Sequence, residues 1–351
     1  MMRSFLFVAG LFVLFLVFSG CQVSSPGAVP EDLDNLDSTW GANKNDTGNK
    51  LPDPEPSLLS VKMVSETEIY FEFSGPVDIV SLSFEPFLAI GSVENGRTVK
   101  VVLEEYPGPG ILITADLTAE DAWGNTIELQ VPFRSRNNRT PDMLINELRT
   151  EYSGLRSEFI EFKIKSSGNL GALRVFACGN YKNPLVYEFS PAEVTKDDYV
   201  VVHMRTLESL CVDEYGDDPA ESGGTDSCTT AWDFWVPGST KLLHKTDAVY
   251  VLDQDDKVVC AVMLSETPDT WWKKDYFAQA AGFLFNQNAW KSPAGDICTP
   301  MDAVSSANIN TALTRTISRD ETVENTNTCA DWYITANSCA TPGQKNNPKR
   351  Y

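Results

Sequence analysis

Apolar residues alternate with polar ones along the first half of the chain. In "TEIYFEF" Ile69, Phe71 and Phe73 share one face, with Glu68, Tyr70 and Glu72 opposite. "TVKVVLEE" aligns Val99, Val101 and Leu103, and "NTIELQVPF" aligns Ile127, Leu129, Val131 and Phe133 against Glu128 and Gln130. "SGP" (74–76), "ENGR" (94–97) and "YPGPG" (106–110) read as turns between the runs. Short strands with period two and regular turns predict an antiparallel β-sandwich over residues 57–135. "RSRNNRTPD" (134–142) is polar and reads as a linker.

Residues 140–351 predict a second β-sandwich. Strands are expected at "INEL" (145–148), "EFIEF" (158–162), around Leu173 and Val175, at "LVYEFS" (185–190) and at "DYVVVHM" (198–204). "DAVYVLDQDDKVVCAVML" (247–264) predicts a hairpin turning at Asp253–Asp256. "ADWYITA" (330–336) predicts a closing strand with Trp332 and Ile334 toward the core, ended by Pro342 and Gly343. Two insertions interrupt this pattern, near 205–246 and 265–310. In the second, Trp272, Tyr276, Ala280 and Phe283 stand at helical spacing with an Asp or Thr cap ahead of them, which predicts a helix lying on the sandwich. The expected fold class is all-β: two sandwiches in tandem, the second with a helical insertion.

The N-terminus carries Arg3, then an apolar run from Phe5 to Phe18 broken only by Gly10. That run is short for a membrane span and suits a signal-peptide core over residues 1–20. It ends in Phe18-Ser19-Gly20-Cys21-Gln22, which resembles the lipobox of bacterial lipoproteins. The resemblance implies lipidation of Cys21 as the mature N-terminus and anchoring to the cell envelope. Gln22 favours the outer membrane under a sorting rule known for some bacteria. An ordinary signal peptide or an uncleaved anchor is the alternative. Residues 21–56 are rich in Pro, Ser, Gly, Asn and Asp and read as a flexible tether, reaching roughly 30–35 Å on average.

Two further resemblances rest on specific residues. "ITADLTAEDAWGNTIELQVPF", with Asp121, Gly124 and Asn125 in its turn, resembles the last strands of bacterial SbsA-like Ig-like domains. Those modules serve as spacers or adhesion stalks. Farther on, Ile145-Asn146-Glu147 and Phe159-Ile160-Glu161 open the second region. Ser318, Arg319, Trp332, Thr341-Pro342-Gly343 and Asn346 close it. In this order they resemble a lamin-tail domain, which implies an Ig-like β-sandwich and a structural role for Glu147 and Glu161.

Charge narrows the partners. With 49 acidic and 28 basic residues the formal charge is −21, unsuited to nucleic acid, whose phosphates need clustered Lys and Arg. After Cys21 seven cysteines remain, at 178, 211, 228, 260, 298, 329 and 339, with no CxxC spacing. Export permits disulfides. Cys211 and Cys228 could close the loop between them, Cys298 is a candidate partner for Cys329 or Cys339, and Cys178 and Cys260 could cross-link or pack.

Candidate chemistry is sparse. "DEYGDDPAESGGTD" (213–226) offers Asp213, Asp217 and Asp218 as weak Ca²⁺ ligands, with a solvated acidic loop as the plainer reading. The only histidines are His203 and His244, and no GxSxG or phosphate-cradling Gly-rich loop is present. No cofactor is expected and no catalytic residue is assigned. "TAWDFWV" and "DTWWKKDYF" place Trp232, Trp235, Trp271, Trp272 and Tyr276 in the two insertions. They are the candidate patch for a protein or glycan partner, unless they pack on the sandwich flank. The function expected is a non-enzymatic binding, adhesion or scaffolding module at the envelope. A purely structural component and a cryptic hydrolase are the alternatives.

Overall fold

The structure, a computed structural model, describes residues 55–310 and 314–351. Residues 1–20, Cys21 and the tether as far as residue 54 lie outside the described residues. Everything described belongs to one compact unit beginning at Asp53. It is mostly β, with a single α-helix, and it has two separate apolar cores.

The first core is built by β1 (Leu58–Met63), β2 (Glu68–Glu85), β3 (Ile90–Glu94), β4 (Gly96–Leu103), β5 (Leu112–Glu120) and β6 (Thr126–Arg134). Ile69, Phe71 and Phe73 are fully buried, facing Ile113, Ala115 and Leu117 of β5, as the alternation requires. The "SGP" turn is not formed. β2 runs unbroken through it, pairing with β1 as far as Phe73, with β4 as far as Val77 and with β5 from Asp78 onward. Pro76, which has no N–H to give a ladder, lies where the β4 register shifts between Glu72 and Val77, just before β5 takes over. A single long strand thereby carries the chain from one layer to the other.

The second core lies between two sheets. One has the order β14-β13-β8-β7-β18-β19, from Trp232–Trp235, Tyr199–His203, Phe159–Ile164, Met143–Arg149, Ile317–Arg319 and Trp332–Ile334. The other has the order β11-β10-β15-β16-β17, from Leu185–Glu188, Arg174–Ala177, Asp247–Leu252, Val258–Ser265 and Val304–Ser305. Two-residue strands β9 (Gly168–Asn169) and β12 (Glu193–Val194) pair beside them. The closing strand β19 packs Trp332 and Ile334 against the core at the sheet edge. The helix, α1 (Asp275–Asn286), starts later than its predicted face. Trp271 and Trp272 precede it, Lys274 is its N-cap without a side-chain bond, and its buried residues are Phe277, Ala280, Ala281 and Leu284.

The segment 134–142 is not a loose linker. Asn137 is buried, and its Nδ2 donates to the carbonyls of Asn169 and Gly171, each at 2.8 Å. The β15–β16 turn presents Asp255 to Lys62 of β1 and to Arg136 of this segment, and Gln254 accepts the Asn137 N–H at 2.6 Å. The backbones of Gly110 (φ +67°) and Gly171 approach so closely that a Cβ on Gly110 would lie 2.5 Å from Gly171. Polar composition signalled a connector here; the hydrogen-bonding use of those polar groups made it a joint.

Candidate functional site

The outer face of the six-stranded sheet carries a buried polar network. A register shift in β7 sets Glu147 opposite Glu161 of β8, and neither carboxylate reaches solvent. Glu147 accepts from the hydroxyls of Thr316 and Ser318, and from the Thr341 N–H at 3.1 Å. Glu161 accepts from Asn146 Nδ2 at 2.8 Å and from the Gly343 N–H at 2.6 Å. Asn346 completes the fastening by donating to the carbonyls of Asn146 and Arg319. Burial raises the pKa of both acids, and the charge of Glu147 raises that of Glu161 further. The pair therefore holds the segment after β19 across the sheet through hydrogen bonds.

The network continues under the first insertion. His203 Nε2 meets Asp233 Oδ1 at 2.9 Å, and its ring stacks on Trp235 at 3.8 Å. Asp233 in turn accepts the Cys228 N–H at 2.6 Å. Buried Arg149 pairs with Asp226 and donates to the Ser157 carbonyl. A polar groove of about 420 Å³ lies alongside, lined in part by Arg156, Asp226, Cys228, Thr230, Thr341 and Gln344. Burial, followed by the charges of Asp233, Glu161 and Asp226, drives the Cys228 thiol pKa far up.

The acidic loop does not assemble a cation site. Asp213 Oδ2 accepts from Tyr187 and Tyr215, both at 2.6 Å, and its Oδ1 accepts the Trp235 N–H. Asp218 accepts the Ala220 N–H, and Asp217 is exposed. Among the described residues no group of three His, Cys, Asp or Glu side chains is arranged to hold a metal. The loop's inward acids replace metal coordination with bonds to tyrosine and backbone.

The five aromatic candidates do not form one patch. Trp235 is 5 % exposed, with its indole N–H on Ser222. Trp232 is half-buried and donates to Asp198, and Trp272 is half-buried and donates to the Cys298 carbonyl at 2.9 Å. Only Trp271 stands clear, at 69 % exposed. Tyr276 is stacked on Tyr181, with centroids 5.4 Å apart and planes 14° apart, and Tyr181 is 60 % exposed. Tyr181 was not among the sequence candidates. The available signal was a lone aromatic in the asparagine-rich turn "CGNYKNP" between two strands.

All seven described cysteines are free thiols, so none of the expected pairings forms. For Cys178 and Cys260 the topology explains it. The Cys178 N–H bonds to Ala248 of β15, whereas Cys260 lies on β16 opposite Val251, so a whole strand separates the two thiols. Two strand spacings of about 4.8 Å exceed the reach of a disulfide.

The model of the TP_1001 protein second domain matches residues 141–334. That is more than half of the chain. The chain belongs to this family. Its TP_1001 second-domain region holds both Glu147 and Glu161 and ends at β19, before the Thr341–Gly343 segment they fasten. A relative is an uncharacterized protein of Treponema pallidum (strain Nichols), 27% identical over 201 residues. The alignment covers 54% of this chain and 50% of that protein, so the chain spans about half the length of the relative.

Proposed function

We propose that this TP_1001 second-domain protein is an exported, lipid-anchored envelope module of two Ig-like β-sandwiches that binds a partner without catalysis. The observation that carries this reading is the exposed aromatic shelf formed by Tyr181 stacked on Tyr276, with Trp271 exposed just before the same helix. Flat exposed rings flanked by the polar side chains of Asn180, Lys182 and Asn183 suit the apolar face of a sugar ring, so the partner class is a surface glycan. The SbsA-like and lamin-tail resemblances support the Ig-like assignment. Support for a non-catalytic role comes from the thiol of Cys228, held protonated by its acidic surroundings, while His203 Nε2 is committed to Asp233.

Glycan-array binding of the full chain, compared with Tyr181→Ala and Trp271→Ala, tests this reading. Loss of one stacking ring should weaken binding roughly tenfold, with thermal unfolding unchanged because both rings are exposed. Absence of glycan binding, or binding by both variants as tight as that of the natural chain, would overturn it. The purely structural alternative is favoured by one observation, that Trp232, Trp235 and Trp272 pack inward.

A further inference from the structure

We propose that a cavity beside the C-terminal end of α1 is a binding site for a small carboxylate, held by Arg319. The cavity has a volume of about 130 Å³. Buried Arg319 and Trp290 line it, together with exposed Gln287, Asn288 and Asn325 and half-buried Asn327, whose carboxamide is bonded to Asn325 and to the Asn288 carbonyl.

The guanidinium is the reason. Arg319 is 4 % exposed, and its Nη2 is buried with no hydrogen-bond partner. The acid paired with it, Asp331, is 3.8 Å away, and both of its oxygens already accept from Thr326. A buried cationic donor left without an acceptor is costly, and arginine cannot shed its proton to escape. An oxygen acceptor in the cavity removes that cost. The indole Nε1 of Trp290 is also buried without a partner of normal geometry, beside the weakly accepting thiol of Cys298.

The rest of the lining selects the ligand. It contains no Asp or Glu, although the chain carries 49 of them, and its one charged side chain is Arg319. Burial pushes the Cys260 thiol up to about 12, so it adds no negative charge. The guanidinium fork matches a planar two-oxygen anion. Asp331 already answers part of its charge, so a singly charged carboxylate is favoured over a phosphate dianion, whose second charge would add to the repulsion. The competing occupant is water, which needs roughly 10–15 Å³ per molecule in such a cavity.

The test uses the full chain in detergent micelles, labelled with 5-fluorotryptophan. The Trp290 resonance is assigned with Trp290→Phe. Sodium acetate and sodium pyruvate are titrated against sodium chloride and sodium phosphate at matched ionic strength. The expected result is a saturable shift of the Trp290 signal with a carboxylate, with a Kd in the millimolar range or tighter. Arg319→Gln should weaken it at least about tenfold, and Asn325→Ala, at an exposed lining residue, should weaken it while leaving the other tryptophan signals in place. No saturable shift would mean that the cavity holds water only and would overturn the site. So would equal shifts from chloride or phosphate, or carboxylate shifts unchanged in the variants. Should Arg319→Gln fail to fold, Asn325→Ala and the comparison of anions decide the matter.

Discussion

Asp247 shows what burial does to a single acid in this chain. It accepts N–H bonds from Gly179, His244 and Ala248, which favour the carboxylate, yet burial outweighs them and pushes its pKa up to about 7. The unfolded chain loses this proton near pH 4, while the folded chain keeps it. Stability therefore falls as pH rises from about 4 to about 7, by up to about 1.4 kcal/mol per pH unit, and this contribution is flat above that window. Glu147 and Glu161 act in the same direction, and His244, whose pKa is lowered, opposes them below its unfolded value. Denaturant unfolding at several pH values should show a flatter dependence in Asp247→Asn than in the natural chain; equal slopes would contradict the assignment. At Glu161 the expected loss is larger. Glu161→Ala leaves the Gly343 N–H unanswered and Asn146 with only its longer bond to Glu321, which should cost about 2–4 kcal/mol and expose the C-terminal segment to carboxypeptidase, as protease digestion would read. The acid pair was legible because two similar strand motifs set one Glu at the same place in each. The shelf was not, because nothing in local sequence brings Tyr181 beside Tyr276.

Elements were legible where one face alone is buried. Period-two runs located β4, β6 and the first half of β2, and the hairpin turn at Asp253–Asp256 formed as expected, with Asp253 accepting from the Asp255 and Lys257 N–H groups. Pro76 marked a register shift in the β4 ladder instead of a reversal, since a missing N–H interrupts a ladder without requiring the chain to turn back. Helical spacing found α1 but placed its buried face one position off, because Trp272 is held by the Cys298 carbonyl ahead of the first turn. The joint between the two cores was hidden, since burial of polar residues depends on partners far away in sequence. Its stiffness can be measured with spin labels, one on each side of it. Asn137→Ala should broaden the distance distribution and cost about 1–3 kcal/mol. Gly110→Ala should shift the distribution, because its Cβ would strike Gly171. Asp255→Ala removes partly exposed ion pairs and should change stability by less than about 1 kcal/mol. An unbroadened, unshifted distribution in the first two variants would show that the two cores are not locked there.

At the scale of the molecule, acidity and a jointed pair of cores fit the proposed body held at a surface. Among the described residues no helix is long and apolar enough to cross a membrane; the attachment proposed is through Cys21. Expression with an alkyne-tagged fatty acid should label the natural chain and not Cys21→Ser, and equal labelling of both would remove the lipid from the account. The central claim is that the stacked Tyr181–Tyr276 pair and exposed Trp271 meet a partner at the envelope. Hydroxyl-radical footprinting of these residues, on purified protein and on intact cells, tests it most directly. In purified protein Trp271 and Tyr181 should react strongly while Trp235 and Trp290 stay protected. On cells Trp271 and Tyr181 should become protected relative to other exposed side chains such as Trp123. Equal reactivity of the shelf in both settings would contradict the claim.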